Sequence, residues 1–268
     1  NREGLCHLTT NAMARETADM DMYEWSRFVD DHGLKINGSV SNDYSKLSMT
    51  GTDDYKDALM DAVRDVLTRP TFSPETIERL SRQQTAKIRQ RRDQAFSFAM
   101  DEARREFYGD HPYNHHKFGR EETVESFTVE DCRQFYEEQI GTSSPIVSVV
   151  GPVEPATIES VLEELGPFDQ DQSAIPEVTE THGGRSLRSR DLDQPTHVLT
   201  YPAPPISSEN YVPIKVLDSL LGGGMSSILF DEMREQRSLG YQVGSSYGSR
   251  RLTSNFSVYL GGDAETNG

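Results

Sequence analysis

The stretch Leu221–Tyr241, LGGGMSSILFDEMREQRSLGY, sets a guanidinium and a phenol, Arg234 and Tyr241, seven residues apart. Both are hydrogen-bond donors, and a short turn after a helix end could aim both at one spot. The consecutive Gly222, Gly223 and Gly224 let the backbone turn tightly and approach another chain closely. Ser226 or Ser227 can cap a helix from Ser226 to about Arg237. The plainer alternative is a glycine turn before an amphipathic helix, with Ile228, Leu229 and Met233 facing a core. These residues alone leave both readings open.

Other groups with chemical potential are sparser. His7 stands in a helix-forming segment near the start. His115 and His116 are adjacent, so they point in different directions and make a poor metal site without further ligands. Cys6 and Cys132 match no metal or redox spacing and read as buried free thiols. The arginines from Arg82 to Arg92 read as a solvated helix face or as ion-pair partners for an acidic body. With 44 acidic against 27 basic side chains, the net charge of −17 repels phosphates. Nucleic acid and anionic membranes are therefore excluded as partners. No apolar run approaches the roughly 20 residues that span a bilayer. The sequence leaves the compartment open: a soluble chain, cytoplasmic in the first instance, or exported if an N-terminal signal has been removed.

The elements that must position these groups follow from periodicity. Helices are expected over Gly4–Thr17, Met22–Asp31, Asp53–Leu67, Thr128–Gln139, Pro155–Leu165 and Ser208–Leu221. Ser73-Pro74-Glu75 starts a helix running to about Phe107, with a break near Gln94. Leu34–Val40 and Tyr44–Gly51 alternate as two antiparallel strands. Ile146–Val150 reads as a buried strand, and His197–Tyr201, Gln242–Tyr247 and Thr253–Leu260 as further strands. Residues 166–190 lose periodicity and read as a linker.

Taken together, the sequence resembles the pitrilysin-like zinc peptidases, the inverzincin group that includes insulin-degrading enzyme and mitochondrial processing peptidase. GLCHLTTNAMARET is similar to that family's first catalytic helix. YGDHPYNHHKFGREETVESFTVEDCRQFY with IVSVVGPVEP is similar to its later half. LLGGGMSSILFDEMREQRSLGYQVGSSY is similar to the start of its second domain. Active members carry H-x-x-E-H, two imidazoles for zinc and a glutamate as general base, completed by a distant glutamate ligand. Here the segment reads His7-Leu8-Thr9-Thr10-Asn11, so Thr10 stands for the base and Asn11 for the second ligand. The distant position falls near Lys87, where no glutamate stands. The resemblance also implies a role for Arg234 and Tyr241: the guanidinium holds a peptide carbonyl and the phenol donates to the oxyanion of a tetrahedral intermediate.

The expected fold is α+β, with two related domains, each a mainly antiparallel sheet covered by helices. The first spans residues 1–180 and lacks its initial strands, 181–188 link, and 189–268 begin an incomplete second domain. The expected function is that of a non-catalytic subunit with no cofactor of its own. It would pair with a zinc-bearing catalytic subunit in a heterodimer, or self-associate, and lend Arg234 and Tyr241 to a peptide site. The glycines Gly222–Gly224 would be the loop that meets partner or peptide. The rival readings are an assembly subunit without substrate contact, and an active zinc endopeptidase using His7 in an atypical site.

Overall fold

The computed structural model describes residues 2–141, 145–164, 177, 181–190 and 194–262. Helices and antiparallel strands together make an α+β architecture, with a long run of helices between the strands Ser45–Thr50 and Thr196–Ala203. The chain divides into two compact units, residues 1–88 with 117–174, and residues 89–116 with 175–268.

The first unit is built round α1 (Leu5–Ala12), whose Leu5, Leu8 and Ala12 are almost wholly buried. It packs with α2 (Met22–Asp31), α3 (Lys56–Thr68), α4 (Pro74–Asp93, its last residues grouped with the second unit) and α7 (Val129–Phe135). The short α6 (Glu121–Val124) and α8 (Pro155–Glu164) complete its helices. The hairpin β1 (Lys35–Val40) and β2 (Ser45–Thr50) pairs antiparallel, as the alternation requires. Gly38 of β1 sits so close to α1 that an added Cβ would lie 2.7 Å from the Thr10 carbonyl oxygen. Asp21 and Glu24 form a reciprocal cap on α2. At the start of α4, Ser73 Oγ accepts from Thr76 N–H at 3.2 Å, and buried Glu16 accepts from the hydroxyls of Ser73 at 2.8 Å and Thr76 at 3.0 Å. A negative charge at a helix N-terminus complements its dipole.

The second unit holds α5 (Ala95–Tyr108), β3 (Thr196–Ala203), α9 (Tyr211–Gly222), β4 (Gln242–Gly248) and β5 (Ser254–Gly261). The sheet order is β3-β5-β4, all antiparallel, with Leu199 opposite Val258 and Ser245 opposite the same residue. The helix break falls at Gln94, whose extended ψ of 116° separates α4 from α5. On α5, Phe96 meets Tyr259 edge-on at 4.7 Å, and Tyr108 Oη donates to the Thr253 carbonyl at 3.0 Å. Residues 89–116 thus cluster with the second sheet, although they fall inside the expected first domain. Residues 181–190, read as linker, run along α5: His182 N–H donates to Phe107 O at 3.0 Å, and Arg188 pairs with Glu102 at 3.2 Å and with Glu106. An acidic helix face holds an arginine-bearing segment in place.

Ile146–Val150 differs from expectation. Residues 145–150 form no strand, and Ile146 and Val150 are 99% and 98% exposed. An apolar β-prone run needs a neighbouring ladder to become a strand, and among the described residues none pairs with it.

Candidate functional site

Two places carry the residues singled out above, one in each unit. In the first, α1 presents His7 beside Gln84 of α4, with His7 Nδ1 and Gln84 Oε1 3.0 Å apart. Gln84 is 2% exposed, and its amide nitrogen donates to the carbonyls of Gly4 at 3.0 Å and Phe118 at 2.8 Å. Those two donations fix the amide's orientation, so Oε1 is an acceptor and His7 Nδ1 carries the proton. In the neutral ring, Nε2 is then the lone-pair nitrogen. The imidazole stands edge-on to Phe118 at 4.7 Å, and the ammoniums of Lys87 and Lys117 lie 5.7 and 5.4 Å from the centre of that same ring. Burial pushes the His7 pKa below its ordinary value; the Gln84 hydrogen bond opposes this and the two lysines add to it.

The other motif positions do not complete a metal site. Asn11 Nδ2 folds back onto the His7 carbonyl at 2.8 Å, spending its amide on its own helix. Thr10 is 2% exposed with its hydroxyl 4.0 Å from Cys6 Sγ. Among the described residues, no group of three or more His, Cys, Asp or Glu converges. One imidazole, two neutral side chains turned elsewhere and two nearby ammoniums do not fit zinc, which needs several anionic or imidazole ligands and is repelled by positive charge.

In the second unit the expected helix forms later and in different geometry. Helical hydrogen bonding begins at Ile228, and Phe230–Gln236 is a π-helix. Ser227 contributes its backbone carbonyl to Asp231 N–H at 3.0 Å, while its buried hydroxyl has no partner among the described residues. Ser238 closes the segment with φ of 53°, a left-handed terminus reached without glycine. The chain then reverses through Gly240, where a Cβ would collide with the Gly261 carbonyl, and Tyr241 N–H anchors to that carbonyl at 2.9 Å. Arg234 lies over the Phe230 ring at 4.8 Å and its Nη1 reaches the Tyr241 carbonyl at 3.4 Å. Arg234 and Tyr241 are thus brought to one turn, both exposed, Tyr241 at 65%. Ile228, assigned to the core on the plainer reading, is 47% exposed.

The three glycines differ. A Cβ on Gly222 would overlap Ser245 N, so its close approach is made with β4 of the same unit. A Cβ on Gly223 would sit 2.7 Å from Ser219 Cα, whereas Gly224 meets nothing within 4 Å. Asp218, unremarked in the sequence, fixes α9 along this edge: it accepts from Ser245 Oγ at 2.6 Å and from Tyr247 N–H at 3.2 Å. Gln84 and Lys117 were missed for the same reason, since nothing in their local sequence signals that they converge on His7. The absence of a glutamate near Lys87 was visible; the amide that faces the imidazole instead was not.

A helix with one residual imidazole, joined in sequence to an exposed Arg/Tyr turn after glycines, defines a metallopeptidase-like chain with an altered metal motif. Residues 1–117 match Insulinase (Peptidase family M16), and residues 126–267 match the peptidase M16 inactive domain. The chain belongs to peptidase family M16. It is 24% identical to the uncharacterized zinc protease YmxG of Bacillus subtilis over 96% of this chain and 63% of that protein. It is 20% identical to the non-peptidase homolog YmxG of Helicobacter pylori, over 91% of this chain and 57% of that one. The crystal structure of a peptidase M16 inactive domain from Pseudomonas fluorescens superimposes with a TM-score of 0.86 at 20% identity, covering 99% of this chain and 66% of that one. The chain therefore spans less than two thirds of the length of these relatives.

Proposed function

We propose that this chain is a non-catalytic M16 subunit that lends Arg234 and Tyr241 to the zinc site of a catalytic partner and helps enclose a peptide. The observation that carries this reading is the contrast between the two sites. At α1 His7 alone remains of the zinc motif: Thr10 stands in the base's place, and Asn11, in the second ligand's place, turns its amide onto its own helix. At the second site a guanidinium and a phenol remain exposed at one turn, and among the described residues the phenol hydroxyl makes no hydrogen bond. A guanidinium can hold a substrate carbonyl, and a phenol can stabilise an oxyanion, a contribution worth about a hundredfold or more in rate.

The test is reconstitution with an M16 chain bearing an intact H-x-x-E-H, encoded beside this one. The complex should cleave peptides, with zinc confined to the partner. Arg234→Ala with Tyr241→Phe should lower kcat about a hundredfold while leaving assembly intact. Unchanged turnover would refute the role.

A second reading, an assembly subunit, draws on α9. Its Val212, Val216 and Leu220 recur at helical spacing and are 63%, 63% and 56% exposed. Charged substitutions there should disrupt complex formation if that reading holds, whatever the Arg234/Tyr241 result.

A further inference from the structure

The chain has only six lysines against 44 acidic residues, yet two of the six, Lys87 and Lys117, converge on one aromatic ring beside His7. They arrive from separate segments, one on α4 and one just before Phe118. Among the described residues neither ammonium lies in an ion pair; each instead rests against Phe118, whose edge-on partner is the imidazole. In a protein of net charge −17, two exposed cations left without carboxylates are an unusual concentration of positive potential. The third element is His7 Nε2, the unprotonated nitrogen in the tautomer fixed by Gln84, which accepts a hydrogen bond.

We infer that the surface around His7, Lys87 and Lys117 is a carboxylate-binding site for a peptide ligand. The ammoniums of Lys87 and Lys117 pair with the carboxylate, and a peptide N–H beside it donates to His7 Nε2. That combination of one acceptor and two cations suits an acidic group carried on a peptide backbone. It does not suit a metal ion, which the lysines repel, nor a basic peptide. The carboxylate can be the chain terminus or an Asp/Glu side chain. That the ligand is a peptide rests on the function proposed above; the carboxylate preference rests on the two lysines and His7.

The experiment is fluorescence polarisation with the full chain and three labelled peptides. One has uncharged side chains and a free terminal carboxylate, the second is its terminal amide, and the third is an amidated peptide bearing glutamates. Binding of the first alone assigns the site to the chain terminus, and binding of the third assigns it to acidic side chains. Lys87→Met with Lys117→Met should weaken binding about fivefold to tenfold, the yield of two exposed ion pairs. Lys56→Met, which removes a lysine already paired with Asp53 at 3.8 Å, should leave it unchanged. Both target lysines are exposed, so the double variant should keep its thermal transition. Arg234→Ala with Tyr241→Phe separates the two proposals, since it should abolish the partner's rate enhancement and leave carboxylate binding in place. Equal affinity for all three peptides, no binding by any, or an unaltered Kd in the double lysine variant would overturn the inference.

Discussion

Gln84→Leu should unfold the first unit far more readily than its conservative volume suggests. Gln84 is 2% exposed and makes three hydrogen bonds, to the Gly4 carbonyl, the Phe118 carbonyl and His7 Nδ1. Leucine fills the space but bonds to none of them. Gly4 O keeps a second donor, Leu8 N–H at 3.1 Å, so its loss is mild. The Phe118 carbonyl and the His7 N–H each lose their bond to Gln84, and a buried polar group deprived of a bond costs up to about 1–3 kcal/mol. Allowing about 1 kcal/mol for the added apolar burial, two such groups give a net loss of about 1–5 kcal/mol. The assay is urea denaturation followed by tryptophan fluorescence. The chain has a single tryptophan, Trp25, 2% exposed in the core of the first unit, so the signal reports that unit. The midpoint should fall with unchanged slope. In the double variant with His7→Phe the cost should be less than additive, because the two residues share one bond. A loss below about 1 kcal/mol would refute the claim that this amide joins α1, α4 and the Phe118 segment.

Other outcomes follow from the same geometry. Gly222→Ala, whose Cβ would overlap the Ser245 backbone, should destabilise the second unit by about 2 kcal/mol or more, whereas Gly224→Ala, with open space, should stay within about 0.5 kcal/mol in thermal melts. Ser238→Gly should raise stability by about 1 kcal/mol, because Ser238 holds a left-handed φ of 53°. Burial would raise the Asp101 pKa, but Arg104 and Arg91, with Nη atoms 2.9 Å from it, outweigh that and hold it below its ordinary value. Its stabilisation is therefore present above about pH 4 and lost as pH falls through the depressed value. Asp101→Asn should flatten that acid limb in amide exchange of α5. Burial pushes the Cys132 thiol up to about 11 and the Cys6 thiol upward as well. Native labelling by maleimide at neutral pH should be slow at both and slowest at Cys132.

Much of the fold was readable because the local signals and the packing agree. Met22–Asp31 forms with the ends its capping and periodicity imply, and the α4/α5 break falls at Gln94. The hairpin of β1 and β2 pairs antiparallel where alternation placed it, and the three runs read as strands after residue 190 form one antiparallel sheet. Long-range facts were not readable. Nothing in residues 89–116 states that Phe96 and Tyr108 will pack on a sheet formed beyond residue 190. Ile146–Val150 has the composition of a buried strand, but composition cannot supply a ladder partner, and the segment stands exposed. The π-helix at Phe230–Gln236 was equally hidden, since helical periodicity does not separate one kind of turn from another.

The site was legible by subtraction and illegible by substitution. Thr10 and Asn11 announce that a base and a ligand are gone, because each chemistry demands one residue type. What replaces them is spread over distant positions. Gln84 orients the imidazole as an acceptor carbonyl would orient a metal ligand. Yet Lys87 and Lys117, resting on the Phe118 ring that meets the imidazole, add positive charge that deters a cation. An oriented imidazole with two ammoniums nearby suits the polar organic ligand inferred above better than it suits zinc.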